Sequence, residues 1–247
     1  MTVGEFFKQN NRLAIAFSGG ADSAYLIWEA KNHGADFKAY FVKTCFQPEF
    51  ELRDAVKLAE LLDFEFEVIN IDILSRAEIA ENTPLRCYYC KKVILSAILE
   101  KAAADGYNII ADGTNLSDSA ADRPGMKALA EHGVISPLRL CSLTKDEIIK
   151  RARQAGLFTA DKPSYSCLAT RVKAGREITA DLLAKIEMAE NLFFERGYSD
   201  FRVRVRGNTA ELEINAADND KFARDKQMLK GELLKIFDAV GSDVKRR

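Results

Sequence analysis

The sequence predicts an α/β fold: an open, mostly parallel sheet with helices on both faces, followed by a smaller α+β domain. Three observations predict it. Short apolar runs alternate with helical stretches through the first part of the chain. The first run, residues 13–17, is continuously apolar, as expected of a strand buried on both faces. That run breaks at Ser18-Gly19-Gly20 and leads straight into a helix.

The other elements follow in order. Residues 23–32 read as a helix, with Leu26, Ile27 and Ala30 on one side and Gly34 just past its end. Residues 37–42 read as a second strand. Residues 50–62 place Leu52, Val56, Ala59 and Leu62 at helical spacing, and residues 66–71 form a third strand. After Pro84, residues 88–104 read as a helix, 107–111 as a fourth strand and 134–138 as a fifth. Thr144 and Glu147 fit a capping box for the next helix, and Gly156 fits its end. The pattern stops over residues 157–175, where Asp161-Lys162-Pro163-Ser164-Tyr165-Ser166-Cys167 reads as a loop. A helix at 180–196, ended by Gly197, strands at 201–206 and 210–214, and one or two helices complete the chain. The expected domains are residues 1–163 and 164–247.

The 247 residues are 47% apolar and 30% charged, enough for a sizeable core. A net charge of −1 gives no general attraction to nucleic acid or anionic membranes, and neither is expected as a partner. No apolar run reaches the roughly 18 residues of a membrane span. Residues 1–10 contain Glu5 and no cleavable apolar stretch, so a cytoplasmic setting is expected. The five cysteines are an odd number, which argues against a disulfide framework.

Ser18-Gly19-Gly20-Ala21-Asp22-Ser23 places backbone N–H groups at a helix N-terminus, a geometry that binds anions. Gly19 and Gly20 let the backbone approach phosphate oxygens, and Ser18 and Ser23 add hydroxyls. A carboxylate repels phosphate, so Asp22 either holds Mg²⁺ bridging to pyrophosphate or caps the helix. The bland alternative is a plain strand-to-helix turn. Asp112-Gly113-Thr114-Asn115 follows the fourth strand at the carboxyl edge of the sheet, where ligands of open α/β sheets bind. Phe41 and Val42 end the second strand, flanking an adenine or simply filling the core. The candidate nucleotide-binding residues are Ala16, Ser18, Gly19, Gly20, Asp22, Ser23, Val42, Gly113, Thr114 and Asn115.

Cys87 and Cys90 lie one helical turn apart at a helix start, and Cys167 lies far along the chain in the loop. A tetrahedral zinc site takes four ligands, and only His33 and His132 offer an imidazole. Three cysteines suit an iron–sulfur cluster with one open iron, or a catalytic thiol with partners. Cys45 and Cys141 read as incidental thiols. Arg202 and Arg204 share one face of a strand; they are either a solvated face or a site for a substrate phosphate.

The hexapeptide resembles the PP-loop of the N-type ATP pyrophosphatases, a Rossmann-like fold, and is not a Walker A motif, since no Gly-Lys-Ser/Thr follows. Together with Arg86-Cys87-Tyr88-Tyr89-Cys90-Lys91, Asp112-Gly113-Thr114-Asn115, Arg123-Pro124-Gly125, Ser136-Pro137-Leu138, residues 162–171, residues 186–190 and Arg202-Val203-Arg204, it resembles the LarE family of pyridinium-3,5-biscarboxylic acid mononucleotide sulfurtransferases. The resemblance implies adenylation of a pyridinium carboxylate by MgATP, then displacement of AMP by sulfur, in the synthesis of the nickel-pincer nucleotide of lactate racemase. It implies two sulfur strategies: a cysteine at Cys167 that surrenders its own sulfur, or a [4Fe-4S] cluster held by three cysteines. Cys87, Cys90 and Cys167 favour the cluster. Glu190 and Glu213 match family carboxylates near the Arg202 and Arg204 site; they are either ligands of a divalent metal or plain helix and strand glutamates. The resemblance also implies a homo-oligomer, a hexamer in relatives. Relatives usually continue with a last strand and a Gly-Tyr-Arg segment, so either a smaller second domain or a differently built C-terminal edge is expected here. A tRNA-thiolating enzyme of the same superfamily is the alternative, and it would carry a basic RNA surface.

Overall fold

The computed structural model describes residues 1–118, 124–241 and 245–246. In chain order the elements are α1 (Val3–Gln9), β1 (Arg12–Ala16), α2 (Ala21–Asn32), β2 (Asp36–Lys43), α3 (Glu49–Leu62), β3 (Phe66–Asn70), α4 (Ala77–Ala80) and α5 (Arg86–Ala104). Next come β4 (Ile110–Ala111), α6 (Pro124–Glu131), α7 (Pro137–Leu140), α8 (Lys145–Gln154), α9 (Ala180–Phe194), β5 (Phe201–Arg206), β6 (Thr209–Ile214), α10 (Asn219–Leu233), β7 (Ala239–Val240) and β8 (Lys245–Arg246). The chain divides into two compact units, Met1–Ile73 with Leu85–Lys162, and Leu74–Pro84 with Pro163–Arg247.

In the first unit four parallel strands run in the order β3-β2-β1-β4. Side chains alternate across a strand, so β1 sends Leu13 and Ile15 to one face and Ala14 and Ala16 to the other. The first face packs on α1, α2, α3 and α8 through Phe6, Leu26, Leu58 and Ile148. The second packs on α5 through Ile98 and Ala102. Helices therefore cover both faces of an α/β sheet, as the alternating pattern predicts. Residues 134–138 differ from the expected fifth strand. Ile135 makes one parallel bridge to Ala111, and then Pro137 starts α7. Proline's fixed φ suits a first helical turn and its missing N–H ends strand pairing.

The second unit is built on the antiparallel pair β5–β6, to which the short strands β7 and β8 add in parallel along β6. Phe193 of α9 stacks on Phe201 of β5 at 4.9 Å and meets Tyr198 edge-on at 5.4 Å. Leu74–Pro84 joins this unit from an earlier part of the chain, an excursion that a single cut after residue 163 does not describe. Asn82, 1% exposed, anchors it. Its Nδ2 donates to the Lys173 carbonyl at 2.9 Å, and its own carbonyl accepts from Gly175 N–H at 2.9 Å. Among the described residues, no helix is long and apolar enough to cross a membrane.

Candidate active site

Strand order reverses between β1 and β4, and open α/β sheets place their ligand crevice beyond the carboxyl ends of strands at that point. Ser18–Ser23 follows β1 and Asp112–Asn115 follows β4. Gly19 adopts φ +73°, which a side chain disfavours. Gly20 is the N-cap of α2 at φ −82°, so the left-handed requirement falls on Gly19 alone. The Gly20 carbonyl accepts the first helical bond, from Ala24 N–H at 3.0 Å. The N–H groups of Ala21, Asp22 and Ser23 precede that bond and face out of the helix end. Ser23 Oγ braces the loop, accepting from Ser18 N–H at 3.3 Å and donating to the Gly20 carbonyl at 3.1 Å.

The loop after β4 lies directly against this helix end. A Cβ at Gly113 would stand 2.8 Å from the Ser23 nitrogen, so only glycine permits the contact. Asp112, 6% exposed, accepts from Ser136 Oγ at 2.6 Å and from Thr114 Oγ1 at 2.5 Å. Asn115 donates through Nδ2 to Asp22 Oδ1 at 3.3 Å, and Lys145 Nζ stands 2.6 Å from Asp22 Oδ2. Asp22 is therefore not the N-cap of α2. It sits within the first turn, and each carboxylate oxygen accepts from a neighbouring segment. Ala16 and Val42 belong to the α5-facing side of the sheet, Val42 in contact with the core beside Ile98 and Ile110.

Cys87 and Cys90 occupy the start of α5. Cys87 is exposed, Cys90 is half-buried, and Arg86 Nη2 donates to Cys87 Sγ at 3.4 Å. Lys91 follows in the same helix. Arg123 lies outside the described residues.

In the second unit Cys167, half-buried, immediately precedes the tight turn Leu168–Arg171. That turn is fastened by Arg171. Its Nη1 donates to the Ser166 carbonyl, Ser166 Oγ and Thr170 Oγ1 at 2.8, 2.8 and 2.9 Å. Its Nε and Nη2 donate to the two Glu190 oxygens at 2.8 and 3.1 Å, and its Cζ lies 4.4 Å from the Tyr165 ring centroid. Burial opposes the charge on Arg171, and the Glu190 carboxylate more than offsets that opposition. Glu190 also accepts from Val203 N–H at 2.9 Å and from the Tyr165 hydroxyl. A carboxylate has about four lone-pair sites, and here four protein donors take them, so Glu190 does not fit a metal ligand. Arg204 donates to Glu213 Oε1 at 2.5 Å and to the Thr170 carbonyl at 2.8 Å, tying β5 to the cysteine loop. Arg202 stands opposite Glu213 in the β5–β6 register. Among the described residues, no group of three or more His, Cys, Asp or Glu side chains is gathered to hold a metal ion.

No family model matches the chain. An uncharacterized protein of Synechocystis sp. is 32% identical over 96% of this chain and 88% of its own length. The pyridinium-3,5-bisthiocarboxylic acid mononucleotide synthase of Lactiplantibacillus plantarum is 30% identical over 90% of this chain and 84% of its own. The chain belongs to the family of that synthase, the LarE family. A tRNA-specific 2-thiouridylase, MnmA, of Thermotoga petrophila is 25% identical over 61% of this chain and 54% of its own.

Within this LarE-family chain, two residues were not singled out by sequence reasoning. Lys145 begins α8, where a cation opposes the positive end of the helix; that misplaced charge is the signal that marks it. Arg171 sits among the buried residues Leu168, Ala169 and Val172, an arginine in a short apolar stretch. Cys45 and Cys141 stand apart from the others: burial pushes both thiols up from their ordinary value, which keeps them protonated and unreactive near neutrality.

Proposed function

We propose that this chain activates a carboxylate of pyridinium-3,5-biscarboxylic acid mononucleotide with ATP and replaces the resulting AMP with sulfur, giving a thiocarboxylate for nickel-pincer nucleotide synthesis. The observation that carries the reading is the Gly113 contact on the N-terminus of α2. It brings the loop after β4 against the N-terminus of α2, a helix end of the kind that binds anions, at the switch point where open α/β sheets take their ligands. The family membership supports the sulfur half-reaction.

Backbone N–H groups at the start of α2, with Ser18 and Ser23, hold the pyrophosphate portion of ATP. Ala16 and Val42 flank the adenine side, and Thr114 and Asn115 line the opposite wall. Asp22 is the residue suited to Mg²⁺, which supplies charge neutralisation at the phosphates when bound. A substrate carboxylate oxygen attacks the α-phosphorus, the bond to the pyrophosphate oxygen breaks, and pyrophosphate leaves. Sulfur then attacks the acyl carbon and AMP departs with the former carboxylate oxygen. Cys87, Cys90 and Cys167 are the proposed ligands of a [4Fe-4S] cluster, which supplies the sulfur when bound. Their donor chemistry fits: each is a thiol outside any disulfide. Arg202 and Arg204 are proposed for the substrate phosphate, with Glu213 as their carboxylate partner. A cytoplasmic homo-oligomer, hexameric as the family resemblance implies, belongs to the same reading.

Anaerobic purification, followed by iron and acid-labile sulfide analysis and an AMP-release assay with the pyridinium dicarboxylate mononucleotide, tests the reading. AMP release that depends on the mononucleotide is expected. Its absence overturns the substrate assignment, and absence of iron and sulfide overturns the cluster. The MnmA similarity favours one other reading, tRNA thiolation; salt-sensitive tRNA binding with tRNA-dependent AMP release would establish it instead.

A further inference from the structure

We propose that Lys145 is a phosphate-binding residue of the nucleotide site, specific for the β- and γ-phosphates and held in reserve by its ion pair with Asp22. The inference rests on the reading that the loop after β1 takes ATP.

Three observations lead to it. First, the Lys145 backbone is fixed to the loop that follows β4. Its N–H donates to Ser117 Oγ at 3.0 Å, and the neighbouring Leu143 carbonyl accepts from Leu116 N–H at 2.8 Å. The side chain is thereby delivered to the start of α2. Second, a lysine at the first position of α8 is electrostatically misplaced for that helix. A partly exposed pair with Asp22, at 38% and 27% side-chain exposure, contributes little stability in return. Third, Asp22 lies beside N–H groups that face outward to bind an anion, where an unpaired carboxylate would repel phosphate. Lys145 cancels that charge at 2.6 Å.

An ammonium carries three donors, and the Asp22 bond observed here uses one. Phosphate oxygens seated over the N-terminus of α2 come within reach of the others. Lys145 thus adds the mobile point charge that the Ser-Gly-Gly loop, lacking the lysine of a Walker A motif, does not itself contain. AMP, whose single phosphate is the one retained after pyrophosphate leaves, makes no such contact.

Calorimetric titration of ATP, pyrophosphate and AMP, each with Mg²⁺, into the parent protein and into Lys145→Met and Lys145→Arg tests the assignment. Lys145→Met is expected to weaken ATP and pyrophosphate about 10- to 100-fold, the scale of a hydrogen bond to a charged group. AMP affinity is expected to stay within about twofold, a difference too small for a lost charge contact. Lys145→Arg is expected to restore most of the ATP affinity, and Lys145→Gln replaces the methionine variant should that lower the melting temperature. Unchanged ATP affinity in Lys145→Met overturns the proposal. Equal weakening of ATP and AMP also overturns it, since that is the result of a residue that only braces the site. A parent protein that binds neither ATP nor pyrophosphate overturns the nucleotide reading itself, a distinct outcome.

Discussion

Arg171 and Glu190 form a two-pronged ion pair, 2.8 and 3.1 Å, with side chains 0% and 1% exposed. The other hydrogen bonds of the pair reach residues of the cysteine loop or of β5. Removing one partner leaves the other as an uncompensated buried charge, which costs about 3–5 kcal/mol. Arg171→Met is therefore expected to lower the urea midpoint strongly by far-ultraviolet circular dichroism. The double variant Arg171→Met with Glu190→Leu is expected to recover much of the loss, because no charge is then stranded. A single variant as stable as the parent would show that the pair is not buried in solution.

The two glycines of the phosphate loop and Gly113 are not equivalent. Gly19→Ala forces a side chain to φ +73°, at a cost of about 1–2 kcal/mol. Gly20→Ala places a Cβ no nearer than 3.5 Å from Ser18 Oγ at an ordinary φ, so stability near the parent value is expected. Gly113→Ala brings a Cβ to 2.8 Å from the Ser23 backbone nitrogen and 3.1 Å from the Asp22 carbonyl carbon. Backbone has to shift at the helix end, so ATP affinity is expected to fall at least about tenfold, a loss of roughly 1.4 kcal/mol in binding. Thermal melts and calorimetry on the three variants give the order directly.

These contacts explain what the sequence made legible and what it hid. The phosphate loop, the capping box of Thr144 and Glu147 and the parallel strands are local signals, carried by residues within a few positions of one another. Lys145 and Asp22 are 123 positions apart, and their meeting depends on how α8 and the loop after β4 pack. Pro137 turned the end of an apolar run into a helix because a proline outweighs apolar continuity. Asn82 and the excursion Leu74–Pro84 were hidden for a different reason: a single asparagine at φ +55° carries the link to residues 172–175. Glu190 matched a carboxylate pattern, but the pattern does not reveal that Arg171 uses it.

Cys45 and Cys141 give a pH prediction. Burial raises both thiols, so the protonated forms are favoured in the folded chain. Their contribution to stability is present below the pKa of an unfolded cysteine, about 8.5, and is lost as pH rises through the higher folded value. Alkylation of these two cysteines, followed by peptide mass spectrometry, is expected to need a more alkaline pH in native protein than in urea. Coincident native and denatured profiles would contradict the burial.

The loop around Cys167 is fastened through its backbone and through the side chains on either side of it. The Cys167 backbone carbonyl accepts from Thr170 N–H at 3.0 Å and from Thr170 Oγ1 at 2.8 Å. Arg171 holds Ser166 and Thr170 on either side, and these bonds do not pass through Sγ. Cys167→Ala leaves these bonds in place and is expected to retain mononucleotide-dependent AMP formation, while sulfur transfer falls below detection. Ser166→Ala, which removes an acceptor of a buried guanidinium, is expected to destabilise the loop by about 1–3 kcal/mol while leaving the sulfur ligand in place. Thiocarboxylate measured by mass spectrometry alongside AMP separates the two half-reactions. If Cys167→Ala still forms thiocarboxylate, the sulfur does not pass through this cysteine on either sulfur strategy. If it loses AMP formation as well, Cys167 belongs to the adenylation step, and the division of labour between the phosphate loop and the cysteine loop is wrong.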